Sequence, residues 1–311
     1  MNIGKVIKII KALDSNAKVF LPKEDLSRVD FQPASIKALI PYGIYYLFGE
    51  IKFSNNFYQS IIITNDYFKT KNSAIVVVFN PKLIHYKLSR YFELPKKNTI
   101  HPTAIIHKNA EIGDNVHIDA YSVIGSCRIG ANSRIMNNVV IEDNVELKND
   151  VFIDSNSVIG AAGMAWIWDE KGNRIIQPQI GGVIISENVR IATGVTIVRG
   201  SLSENTFIGA NTVIAHGSKI GHGCQIHKNV HLANNVSLAG NAYIEENVFL
   251  GSASVVSSNI KVPKGSIVGA GAVVTRSFEE ENITLAGVPA KIIKRENFKV
   301  KPKGVPRPFQ N

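Results

Sequence analysis

Eight histidines hold most of the proton-transfer chemistry open to this chain of 311 residues: His85, His101, His107, His117, His216, His222, His227 and His231. Four fall between positions 216 and 231, in a region otherwise built of aliphatic and small residues. An imidazole exchanges protons near neutral pH, so one oriented histidine is enough for general-base catalysis. His222, in IGHG, is the first candidate, with His216 in IAHG and His227 in QIHK as alternatives. A catalytic zinc asks for three protein ligands and one open position. His222 and His227 offer two, and no histidine lies between His117 and His216, so no metal is expected. The two cysteines, Cys127 and Cys224, form neither a CxxC pair nor a disulfide framework, which fits a reducing, cytoplasmic setting.

These histidines ride on a repeat. Ile106, Ile112, Ile118 and Ile124 are six residues apart. After one shorter step come Ile129, Ile135, Ile141, Leu147, Ile153 and Ile159, again six apart. Ile185, Ile191 and Ile197 follow a break, and an unbroken run of twelve leads from Ile208 to Val274. A helix cannot use this period, and Gly, Asn and Asp interrupt too often for ordinary strands. A parallel β-helix does use it: each hexad is a short strand and a turn, and three hexads close a triangular coil. The aliphatic residue points inward and stacks on its counterpart one coil on, about 4.8 Å away. The expected fold class is therefore mainly β, a left-handed parallel β-helix of hexapeptide repeats. One coil is 18 residues, so Gly240 comes to lie over His222. A glycine there leaves room for a thioester and exposes a backbone N–H as an oxyanion donor.

The rest of the chain frames that helix. An insertion at 160–182 contains Trp166 and Trp168. Loops of this length are commonly functional, so Trp166 is expected to touch substrate; alternatively both tryptophans cover a coil edge. Residues 1–98 read as a small α/β domain. Ile3, Val6, Ile10 and Leu13 suit an amphipathic helix, and 60–65 and 73–80 suit buried strands. A second helix is expected after Asn80 as N-cap and Pro81 at its first position, with Ile84, Leu88 and Phe92 on one face. The β-helix is expected over 99–285 and a short basic C-terminal tail over 286–311. The net charge of +10 would attract phosphorylated ligands or acidic proteins, but no nucleic-acid-binding signature accompanies it. Apolar residues at 45% and charged residues at 19% exclude a mainly disordered chain. No stretch approaches the roughly 20 apolar residues of a membrane span. Lys5, Lys8 and Lys11 interrupt the N-terminus, so no signal peptide or membrane segment is expected.

Over nearly its whole length the chain resembles the UDP-3-O-acylglucosamine N-acyltransferase family of lipid A synthesis. The likeness is carried by IIITNDYF, IVVVFNP, IHPTAIIHKNAEIGDNVHI, SVIGAAGMAWIWDEKGNRIIQPQIGGVII, VTIVRGSLSENTFIG and IGHGCQIHKN. It implies a catalytic histidine at His222. It also implies an N-terminal domain that holds a nucleobase against an aromatic of LFGEIKF, with Phe53 first and Phe48 second. The chain departs from the family at Ala162, Val198 and Ala215, where the family usually carries Asp. The segment VGAGAVVTRSFEEENITLAGVPAKII is similar instead to nucleotide-amino-sugar N-acetyltransferases, whose pattern also falls on His222. That second likeness implies Gly251, Ser252, Gly269 and Ala270 in a pantetheine groove, with Lys291 and Lys294 meeting phosphates. The His222–His227 spacing is also similar to hexapeptide-repeat carbonic anhydrases, but Ser186 and Glu187 stand where those enzymes need a third histidine.

The expected function is a sugar N-acyltransferase of surface polysaccharide or lipopolysaccharide synthesis. The amine of a nucleotide-linked amino sugar attacks an acyl-CoA, acetyl-CoA first among donors. His222 is the base, and Phe48, Phe53, His216 and Trp166 are the acceptor contacts. Acyl carrier protein is the alternative donor, as in the lipid A family, and a non-catalytic sugar-nucleotide-binding scaffold is the reading from another class. The family type implies a cyclic homotrimer with His222 at a cleft between subunits.

Overall fold

The computed structural model describes residues 1–48, 57–93 and 99–295. The chain divides into two compact units, Met1–Lys96 and Lys97–Asn311.

In the first unit, α1 (Ile3–Leu13) forms where the apolar spacing predicts it. Val6 and Ile10 are buried, and the Asn2 side chain accepts a hydrogen bond from the Lys5 N–H. Five strands follow: β1 (Lys18–Phe20), β2 (Gln32–Pro33), β3 (Gly43–Leu47), β4 (Ile61–Thr64) and β5 (Ala74–Val77). They lie in the order β1–β5–β4–β3–β2, with β1 antiparallel and the others parallel. Central β4 is buried throughout, which is why IIIT shows no alternation. The helix α2 (Pro81–Ser89) begins as expected, with Asn80 Oδ1 accepting from the Leu83 N–H at 3.1 Å. Phe92 is not on this helix. The chain tightens into a 3-10 turn at Arg90–Phe92, from which Phe92 packs half-buried against the core.

The second unit is the parallel β-helix, left-handed as the repeat class requires. Its strands form three sheets of eight, nine and ten members. Register follows the hexads: Ile208 pairs with Ile226, Ile226 with Ile244, and Ile244 with Val262. Ile220, Leu238, Val256 and Val274 make the equivalent column on another side. These side chains are almost wholly buried, and burial of each contributes roughly 1.5–3 kcal/mol. Asparagine takes the turns in the left-handed region, as at Asn211, Asn229 and Asn247. There it also bonds its own kind: Asn188 Nδ2 donates to Asn211 Oδ1, Asn211 to Asn229, and Asn229 to Asn247. One residue thus accepts the backbone conformation and links successive coils.

One boundary differs from expectation. Residues 286–295 are not tail: Ile283–Ala286 continues the ten-stranded sheet, and Lys291–Arg295 folds back antiparallel on it. The apolar Ile292 packs on the helix core and draws this segment in. Within the insertion, Trp166–Trp168 and Arg174–Ile176 pair as an antiparallel hairpin. Its two tryptophans are 44% and 57% exposed.

Candidate functional site

His222 sits on a corner turn between Lys219–Ile220 and Gln225–Ile226. Its backbone is fixed by the next coil, since its carbonyl accepts from the Asn241 N–H at 2.8 Å. Gly221 must be glycine, because a Cβ would stand 2.7 Å from the Gly240 nitrogen. Gly223 has φ of +65°, and a Cβ there would meet Asn241 Oδ1.

The imidazole is half-buried between two neighbours. Nδ1 lies 3.2 Å from Ser201 Oγ. Nε2 faces Gly240, where a Cβ would come within 2.3 Å. The sequence expectation that Gly240 makes room at His222 thus has a direct geometric counterpart. Among the described residues no protein acceptor takes the Gly240 N–H, so it can donate to a developing oxyanion.

Ser201 reaches His222 because the loop 199–206 leaves the coil. Glu204 ties the loop, its carboxylate accepting from the N–H groups of Ser201 at 2.6 Å and Leu202 at 3.1 Å. Hydrogen bonds from its own, the Leu202 and the Ser201 backbone hold the Glu204 carboxyl below its usual range, helped slightly by the nearby His222. Arg199 anchors the loop base through Nε to the Gly160 carbonyl and Nη2 to the Asp143 carbonyl. Sequence reasoning did not select Ser201, since nothing in the hexad period shows where an extruded loop turns back.

The other expected site residues fall into separate groups. Gly251, Gly269 and Ala270 do come together: a Cβ on Gly251 would be 2.5 Å from the Ala270 nitrogen, and one on Gly269 would be 3.4 Å from Ala286 Cβ. Lys291 pairs with Ala286 and so continues this strip, while Ser252 and Ala270 are exposed along it. Gly251 therefore has a packing reason of its own. His216 belongs to this strip, not to His222, because Ala215, Ala233, Gly251 and Gly269 follow one another coil by coil. The backbone of Lys294 lies in the final strand opposite Thr284. Trp166 is edge-on to Trp168 at 5.0 Å, with the Arg174 guanidinium over both rings. His227 lies against Tyr243 at 4.9 Å. Cys224 is no nucleophile: burial pushes its thiol up to about 11.

In the first unit, Phe48 is exposed and edge-on to Tyr46. Phe53 lies outside the described residues. A cleft of about 420 Å³ is lined by Pro33, Lys37, Tyr46, His85 and Tyr86. His85 bonds through Nε2 to the Ile44 carbonyl at 2.9 Å, and burial pulls its pKa down. In the second unit a cleft of about 530 Å³ has Glu111, Arg128 and Glu146 among its lining residues, with Leu202 and Ser203 of the histidine loop. Among the described residues no three His, Cys, Asp or Glu side chains gather as a metal site would require.

Residues 126–161 and 204–240 match the bacterial transferase hexapeptide family, and 242–276 match the hexapeptide repeat of succinyl-transferase. The chain is 30% identical over 155 residues to a UDP-3-O-acylglucosamine N-acyltransferase of Coxiella burnetii. That match covers 43% of this chain and 45% of the relative, so it spans less than half the relative's length. Two solved structures are similar: the UDP-N-acetylglucosamine O-acyltransferase of Moraxella catarrhalis, 28% identical with a TM-score of 0.57, and the UDP-N-acetylglucosamine acyltransferase of Francisella novicida, 28% identical with 0.56. Each covers 62% of this chain, and 73% and 68% of the respective relatives. Repeat, register and these likenesses define the class as a β-helix of bacterial-transferase hexapeptide repeats, similar to acyltransferases built the same way. Within it, the likenesses run to proteins named for acyl transfer to UDP-linked glucosamines.

Proposed function

We propose that this protein transfers an acyl group from a thioester to the amine of a nucleotide-linked amino sugar, with His222 as general base. The amine nitrogen attacks the thioester carbonyl and gives a proton to Nε2. The tetrahedral centre places its oxyanion at the Gly240 N–H. Collapse expels the thiolate, which takes the proton back from His222. The observation that carries this reading is the placement of one imidazole at a coil corner, with Nε2 turned to the space a glycine leaves open.

The donor is an acyl-CoA whose pantetheine follows the strip of Gly251, Ser252, Gly269 and Ala270, with Lys291 and Lys294 toward its phosphates. Acyl carrier protein is the competing donor. In the first unit Phe48 is the nucleobase contact, and in the second Trp166 is the acceptor contact, while His216 lies along the donor strip. A cyclic trimer in the cytoplasm, where acyl thioesters are made, is the working form. The name of the Moraxella catarrhalis relative, an O-acyltransferase, favours a second reading, in which the acceptor is a sugar hydroxyl. Thiol release with UDP-amino sugars and UDP-N-acetylglucosamine, each offered acetyl-CoA, 3-hydroxyacyl-CoA and acyl carrier protein thioesters, separates the readings. Release with an amino sugar alone supports N-transfer. Release with the hydroxyl acceptor alone overturns it.

A further inference from the structure

We infer that Ser201 is a positioning residue that fixes the tautomer of His222. The inference rests on the proposed role of His222 as base. An imidazole can accept a proton at Nε2 only when its one ring proton is on Nδ1. Ser201 Oγ lies 3.2 Å from Nδ1 and can accept that N–H, while Nε2 is on the opposite side, toward Gly240.

The hydroxyl is delivered by a loop pinned on three sides. Its amide donates to Glu204, its carbonyl accepts from the Ile180 N–H at 3.0 Å, and the preceding Gly200 N–H donates to the Gly182 carbonyl. Gly181 and Gly200 allow this packing, since a Cβ on either would run into the Glu204 carbonyl oxygen. A loop so constrained holds Oγ in place without help from substrate. Where a carboxylate orients a histidine, it also stabilises the charged ring. A hydroxyl orients the ring and adds no charge, so the proton taken from the acceptor is returned readily to the leaving thiolate.

Nitrogen-15 spectra of ring-labelled protein, recorded with the ring neutral, test this directly. Wild type is expected as the Nδ1–H form. Ser201→Ala should shift the ring to a mixture rich in Nε2–H, and Ser201→Thr, which keeps the hydroxyl, should restore Nδ1–H. In turnover, Ser201→Ala should lower kcat by roughly tenfold or more with KM little changed, being a partial loss of general-base catalysis. An Nε2–H ring in the wild type, or an unchanged tautomer in Ser201→Ala, would overturn the inference. The spectra need no substrate, so they decide the role of Ser201 even if no acceptor is turned over.

Discussion

A methyl group at position 240 would lie 2.3 Å from Nε2 of His222, far inside contact distance, so the imidazole occupies space that exists only because residue 240 is glycine. Gly240 is not in the left-handed backbone region, so alanine strains the ring and not the main chain. Gly240→Ala should push the half-buried imidazole out of register and reduce turnover by roughly ten- to a hundredfold. The melting temperature should move by only a few degrees, about what 1 kcal/mol gives in a domain of this size. A thioester assay and a thermal melt on the same preparation check both halves.

Both tryptophans of the chain lie in the hairpin. Intrinsic tryptophan emission therefore reports that element alone, and in the free protein it should be red-shifted and readily quenched by iodide. If Trp166 contacts the acceptor, adding a UDP-linked sugar should blue-shift the emission and protect it from quenching. Trp166→Ala should then raise KM for the acceptor with kcat nearly unchanged. Unaltered quenching at saturating sugar would remove Trp166 from the acceptor site.

The N-terminal unit should carry its own pH signature. Burial lowers the His85 pKa from 6.5, against a smaller opposing effect of its bond to Ile44. A group harder to protonate when folded contributes stability above its unfolded pKa and loses it as pH falls toward the folded value. With the intrinsic slowing of exchange divided out, protection of the Gly43–Leu47 amides should thus fall between pH 7 and pH 5. His85→Gln, which keeps a donor for the Ile44 carbonyl, should flatten that dependence. A slope identical in the two proteins would assign the acid sensitivity elsewhere.

Much of this architecture is legible in the chain because the hexad is a strict code. Every aliphatic position from Ile208 to Val274 is interior, and the turn residues take the expected backbone conformation. The pairing of His222 with Gly240 follows from that code by counting one coil. What escaped is what the period does not encode. Ser201 and Glu204 sit in a loop whose return path depends on contacts with Gly181 and Ile180, residues from another part of the chain. Tyr46 and Tyr86 line a cleft that required knowing strand β3, a short run that follows Pro41 and lacks alternation. The last strand looked like tail because three basic residues outnumber its two isoleucines, yet Ile292 packs on the helix core. His216 resembles His222 in local sequence, and the one-hexad offset alone already places it on an adjacent corner.

The most direct test of the account is steady-state thiol release by His222→Ala, beside wild type and His216→Ala, with the best thioester and acceptor. Loss of a general base of this kind predicts a fall in kcat of about a hundredfold or more for His222→Ala with an unchanged melting curve. His216→Ala should act mainly on KM. Near-wild-type turnover by a folded His222→Ala protein would contradict the account and move the base to His216 or His227.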